Sequence, residues 1–79
     1  MDLGMFFFWE QQSFELPCFY FPTQSGKPFA PNVQQNGNIL RILNAQPSNG
    51  GVYICMAENS EGMDRSYTVV DIDRKFEIR

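Results

Sequence analysis

One stretch constrains the fold more than any other: Gly51-Val52-Tyr53-Ile54-Cys55-Met56-Ala57-Glu58-Asn59-Ser60-Glu61-Gly62. Tyr53, Cys55 and Ala57 alternate with Val52, Ile54 and Met56, the periodicity of a strand with distinct faces. Gly51 precedes the strand, and Asn59 and Gly62 follow it, residues that tolerate the positive φ of tight turns. Tyr53 and Cys55 share a face. A buried tyrosine needs a partner for its hydroxyl, and the backbone near Asn49 lies within reach across a corner turn. Asn49, Gly51 and Tyr53 therefore read as a structural corner, and Cys55 points into a core.

The pattern Asn49-x-Gly51-x-Tyr53-x-Cys55-x-Ala57-x-Asn59-x-x-Gly62 resembles strand F of immunoglobulin domains of the intermediate set (I-set). The spacing is intact; the departure is Asn49, where the family usually has Asp. That Asp commonly pairs with a basic residue near strand D. No basic residue lies between Lys27 and Arg41, so the pair is expected to be absent and Asn49 left to bond the turn locally. Upstream, Ser13-Phe14-Glu15-Leu16-Pro17-Cys18 alternates and resembles strand B, with Phe14, Leu16 and Cys18 on one face. The resemblance implies an all-β immunoglobulin-like β-sandwich in which Cys18 and Cys55 face each other between the sheets. It implies a disulfide between them, worth roughly 4 kcal/mol for a loop of this length on the chain-entropy model. Reduced core thiols, as in intracellular muscle-type domains, are the alternative.

The middle of the chain departs from the family. Cys18 and Cys55 are 37 positions apart, fewer than usual. The family's core Trp on strand C has no counterpart, because Trp9 precedes Cys18. Phe19-Tyr20-Phe21 is followed by Pro22, Ser25-Gly26, Pro28 and Pro31, which read as loop and turn. The expected sandwich is therefore shortened, with strand C missing or stunted. Phe21 or Phe29 are the candidates to occupy the volume of the Trp. Left empty, such a hole would cost about 3–5 kcal/mol. Without strand C, strand F would expose an open edge, and self-association through that edge, or a partly molten chain, is the expected result.

The uniformly apolar run Met5–Trp9 reads as a first strand, or part of one, at a sheet edge. It lacks a basic flank and is too short for a signal peptide or a membrane span, so a secreted domain of this kind is expected to belong to a longer precursor. Order resumes at Val33; Asn36-Gly37-Asn38 is a turn, Ile39–Leu43 resembles strand E, and Arg65–Ile72 reads as the last strand. The expected domain spans residues 5–72, and residues 73–79 form a linker or the start of another element, with Phe76 and Ile78 in it.

Seventy-nine residues with a net charge of −3 allow one small domain and carry no basic cluster, which argues against nucleic acid and anionic membranes as partners. Membrane insertion is likewise not expected. The chain has no histidine, so Ser-His-Asp and Cys-His catalysis are impossible, and two cysteines alone do not make a zinc site. Asp71 with Asp73, and Glu58 with Ser60, share strand faces but lie at strand ends without a binding loop, so a solvated end is the better reading. No enzyme activity, metal or cofactor is expected. Ser25-Gly26 is a dipeptide at which glycosaminoglycan chains start, but its neighbours Lys27 and Pro28 favour a plain turn. No Asn-x-Ser/Thr sequon occurs.

Val52, Ile54 and Met56 form an apolar row opposite the core. In a sandwich this face often carries contacts; the blander reading is that Met5–Trp9 covers it. Ala57-Glu58-Asn59-Ser60-Glu61-Gly62, the Gly26-Lys27-Pro28 turn and the ending Val69–Lys75 most resemble the tandem repeats of perlecan-type core proteins, the basement-membrane heparan sulfate proteoglycans. That likeness implies a non-catalytic, secreted spacer and protein-binding repeat of the extracellular matrix. An adhesion-molecule or receptor ectodomain and an intracellular muscle-type domain are the alternatives.

Overall fold

The computed structural model describes residues 3–74; the expected element at Phe76 and Ile78 lies outside them. Eight strands and one short turn of 3-10 helix follow in order: β1 (Leu3–Trp9), β2 (Phe14–Leu16), β3 (Phe19–Gln24), β4 (Lys27–Pro28), β5 (Val33–Asn36), β6 (Ile39–Ile42), the helical turn Pro47–Asn49, β7 (Gly51–Asn59) and β8 (Gly62–Asp73). They form two sheets, β1-β8-β7-β3-β4 and β2-β6-β5. The β1–β8 pair is parallel and the other pairs are antiparallel.

The alternation in the sequence sets which side chains meet between the sheets. Leu16, Val33, Leu40 and Ile42 of the smaller sheet pack against Tyr20, Tyr53, Val70 and Ile72 of the larger one, with Ala45 closing the side. Leu40, Ile42 and Tyr53 are fully buried. Burying each such aliphatic side chain contributes about 1.5–3 kcal/mol.

Of the two alternatives for strand C the structure holds the stunted one, and the expected open edge beside it is corrected. β3 exists as a six-residue strand and runs antiparallel to β7, with Phe19 opposite Met56 and Tyr20 opposite Cys55. Tyr53–Met56 of β7 is therefore paired on both sides, by β3 and β8, and only its Ala57–Asn59 end runs beyond β3. Pro22 reads as a break but sits in an irregularity: between Tyr20 and Gln24, β3 has three residues where β7, between Cys55 and Tyr53, has one. A residue without an N–H is tolerated in such a bulge, and the chain turns back only at Ser25-Gly26. The stunted strand is thus paired and bulged.

The volume of the missing Trp is filled by Tyr20, which is buried and packs edge-on against Tyr53 with ring centroids 6.2 Å apart. Its hydroxyl shares a hydrogen bond with the buried Thr68 hydroxyl at 3.2 Å. Phe29 adds a second ring against Tyr53 at 6.1 Å. Phe21 does not contribute; it is 45% exposed on the opposite face.

The last hairpin is longer than the sequence indicates. β7 and β8 pair without interruption from Gly51–Val70 to Asn59–Gly62, leaving only Ser60 and Glu61 in the turn. Asn59 Oδ1 accepts the Glu61 N–H at 2.8 Å, and Gly62 takes φ +129°. Residues 57–65 are exposed on both faces, so this ribbon stands clear of the core and contributes to the 55 × 24 × 20 Å outline.

Candidate contact face and the corner behind it

The corner is built as a small polar cluster. Tyr53 Oη donates to the Asn49 carbonyl at 2.5 Å, inside the core. Burial pushes the Tyr53 hydroxyl up to about 12. Asn49 is itself buried, and its Oδ1 accepts the Gln46 N–H at 2.8 Å, closing the helical turn. The partner expected to be missing is replaced by a neutral one. Asn32 Nδ2 donates to Asn49 Oδ1 at 2.8 Å, and Asn49 Nδ2 donates back to Asn32 Oδ1 at 3.1 Å. A reciprocal amide pair satisfies both side chains without burying a charge. Gln24 Nε2 then donates to the Ser48 and Gly50 carbonyls at 2.6 and 2.8 Å, tying β3 to the corner.

Gly51 has a steric reason to be glycine. A Cβ there would stand 2.5 Å from Ser25 Oγ, and its φ is +145°. The close approach lets Ser25 Oγ accept the Val52 N–H at 2.9 Å while the Ser25 N–H donates to the Val52 carbonyl at 2.8 Å. Ser25 is thus engaged in a turn docked on β7, with φ +48°.

Cys18 and Cys55 form a disulfide, with Cα atoms 5.9 Å apart. Beside it, Gln35 of β5 bridges the sheets. Its Oε1 accepts the Tyr20 N–H at 3.0 Å, and its Nε2 donates to the Cys18 carbonyl at 3.0 Å and the Gly37 carbonyl at 2.7 Å. Tyr20 was legible in principle, since Leu16, Cys18 and Tyr20 continue one alternation. Asn32, Gln24 and Gln35 lie in no recognisable motif, because an amide's role depends on what tertiary structure places beside it.

Outside this frame lies the outer face of the larger sheet. Val52, Ile54 and Met56 are half-buried there, opposite Val69, Tyr67 and Arg65 of β8. Met5 lies beside Val69, Phe7 beside Asp71 and Trp9 beside Asp73. On the other flank Phe19 lies beside Met56, and a shallow recess forms between Phe21, Ile54, Met56 and Arg65. The Met5–Trp9 run does not cover the row. It extends the same sheet beyond β8, so the apolar band continues across the sheet to Phe7 and Trp9, which are 51% and 47% exposed. Asp71 and Asp73 border one end of the band and Arg65 the other. Among the described residues, no group of three metal-binding side chains forms.

No family model matches the chain, and no curated protein matches it. Solved structures do. The chain superposes on the tandem Ig repeats of Dlar with a TM-score of 0.70 and 19% identity, over 91% of this chain and 45% of that one. Against Sidekick-1 immunoglobulin domains 1–4 the TM-score is 0.71 with 17% identity, over 99% of this chain and 24% of that one. Against the extracellular domains 3–5 of Drosophila OTK it is 0.73 with 15% identity, over 89% and 27%. The chain spans less than half the length of each of these structures. At such identities the likeness establishes the fold, an immunoglobulin-like β-sandwich.

Proposed function

We propose that the chain is a non-catalytic, extracellular immunoglobulin-like module that binds protein through the outer face of its larger sheet. The observation that carries this is the continuous apolar band of Phe19, Met56, Ile54, Val52, Met5 and Phe7, exposed at both flanks and edged by charges of both signs. An apolar face with a charged rim fits a protein partner at the cell surface or in the matrix. The disulfide suits an oxidising compartment and weighs against an intracellular muscle-type domain. The likeness to extracellular domains of OTK supports the same setting. Within it, the Ala57–Gly62 motif and the Gly26-Lys27-Pro28 turn favour a perlecan-like spacer and binding repeat of a secreted matrix proteoglycan, while the tandem Ig arrays favour a receptor or adhesion ectodomain.

The test is adhesion of cells, and of basement-membrane extract, to surfaces coated with the chain. Ile54→Lys on the outer face is expected to abolish retention, and Arg41→Ala on the opposite sheet to leave it unchanged. Equal retention by both variants would refute the face. Thiol labelling of the unfolded, unreduced chain is expected to find no reactive thiol; two per chain would refute the extracellular setting.

A further inference from the structure

We infer that two copies of this chain join edge to edge through β1, antiparallel about a two-fold axis at Met5. This is independent of the proposed binding face, since the backbone edge of the sheet carries it. Residues of a strand point their N–H and C=O alternately to the two sides. The Glu10 N–H donates to the Asp73 carbonyl at 2.7 Å, so the even-numbered residues of β1 face β8. The odd-numbered ones, Leu3, Met5, Phe7 and Trp9, then face outward. Trp9 agrees with this parity, because its outward groups are already taken. Its N–H donates to Gln12 Oε1 at 3.1 Å, and its carbonyl accepts the Gln12 N–H at 3.3 Å. Gln12 closes the edge at Trp9 and leaves the backbone groups of Leu3, Met5 and Phe7 open.

Three evenly spaced open residues are self-complementary. With the axis at Met5, Met5 faces Met5 of the second copy and Phe7 faces Leu3, and each facing pair exchanges both of its N–H···O bonds. The same register brings Gly4 opposite Phe6 of the second copy; within each chain the Phe6 ring already leans over Gly4, 3.3 Å from where a Cβ would stand. A register one pair further along would set Leu3 against the closed Trp9.

The occupant is a second copy because the other three edge strands resist strand addition and this one does not. β4 is two residues, Lys27 and Pro28. β2 is three residues, carries Glu15 and ends at Pro17. β5 is four residues and follows Pro31. β1 has seven residues with no charge and no proline. Two such strands meet without like-charge contact even though each chain carries −3. Asp71 and Asp73 lie one strand back on β8. Their counterparts in the second copy would be three strand spacings away, roughly 14 Å, beyond the screening length of about 8 Å at physiological salt. A two-fold pairing closes on itself and stops at two chains.

Sedimentation equilibrium of the chain over a concentration series tests this. A monomer–dimer equilibrium is expected, weakened about tenfold or more by Met5→Lys, which sets like charges face to face at the axis and removes no β1–β8 bond. Met5→Pro, which deletes the outward N–H, is expected to do the same, and a melting profile like the parent's shows that each variant folds. Met5→Cys is expected to form an interchain disulfide under mild oxidation, since facing Cα atoms in such a pair lie about 5.5 Å apart. Ile54→Lys is expected to leave the dimer intact. A chain that stays monomeric, one that grows beyond two copies, or a dimer broken by Ile54→Lys and not by Met5→Lys would overturn the inference.

Discussion

The larger sheet ends in two edges of opposite character. At one, β4 pairs with β3 over two residues, Lys27 opposite Gln24 and Pro28 opposite Thr23. A proline and a charge stop further pairing there. At the other, β1 pairs with β8 along all of Leu3–Trp9, and its free side offers a continuous apolar backbone ladder. Behind that first edge, β3 is held by the disulfide, Gln35 and Gln24. The second is held by its ladder and by one aromatic stack, Phe8 on Phe14, with centroids 3.5 Å apart and rings within 7° of parallel. Where cross-links fix a strand, its edge is blunted; where a ladder and a ring stack fix it, the edge is left able to pair.

The sharpest way to break this contrast is to remove the cross-link. Replacing Cys18 and Cys55 together by Ala is expected to cost about 4 kcal/mol in denaturant unfolding. Amide exchange should rise at β3 well before it rises at β1; equal rises would mean that the disulfide holds the whole sheet. High pH attacks the same side of the molecule more selectively. Tyr53 is raised from 10.0 to about 12 in the folded chain, so the unfolded chain loses its proton first. The stability this contributes is fully present below pH ~10 and is lost as pH rises toward about 12, amounting to about 2–3 kcal/mol. Tyr53→Phe should flatten that dependence in alkaline unfolding curves, and should itself cost on the order of 1 kcal/mol at neutral pH. Asn32→Ala is expected to cost about 1–3 kcal/mol in chemical denaturation, because it leaves the buried Asn49 amide short of a partner. The smallest effect is expected at the open edge. Phe7→Lys, half-exposed on β1, should shift stability by no more than about 0.5 kcal/mol in the same assay.

What the sequence reveals follows the same division. The Gly51–Gly62 pattern is legible because its signals are local: a period of two, a tyrosine that needs a nearby carbonyl, glycines where the backbone is crowded or turned. β1 is legible as an edge strand because nothing in Met5–Trp9 interrupts it. β3 is not, because Pro22 signals a break when isolated and sits in a bulge when β7 is beside it. The sequence points to Phe21 and Phe29 before Tyr20, because the place of a Trp calls for a bulky apolar ring, whereas the site also offers the Thr68 hydroxyl. The Asn32–Asn49 pair is invisible because the family pattern leads one to look for a charge.

The long β7–β8 ribbon has a consequence for how the chain is tied together. Its tip, Ser60-Glu61, is exposed and far from the core, the kind of site where proteases cut first. Both cysteines lie before that tip, so a cut there leaves β8 on a separate fragment with no covalent link to the remainder. Yet β8 sits between β1 and β7, both on the first fragment, with ladder bonds to each. A nicked molecule would therefore be a sandwich with a removable internal strand, and synthetic peptides spanning 62–73 should compete for the slot.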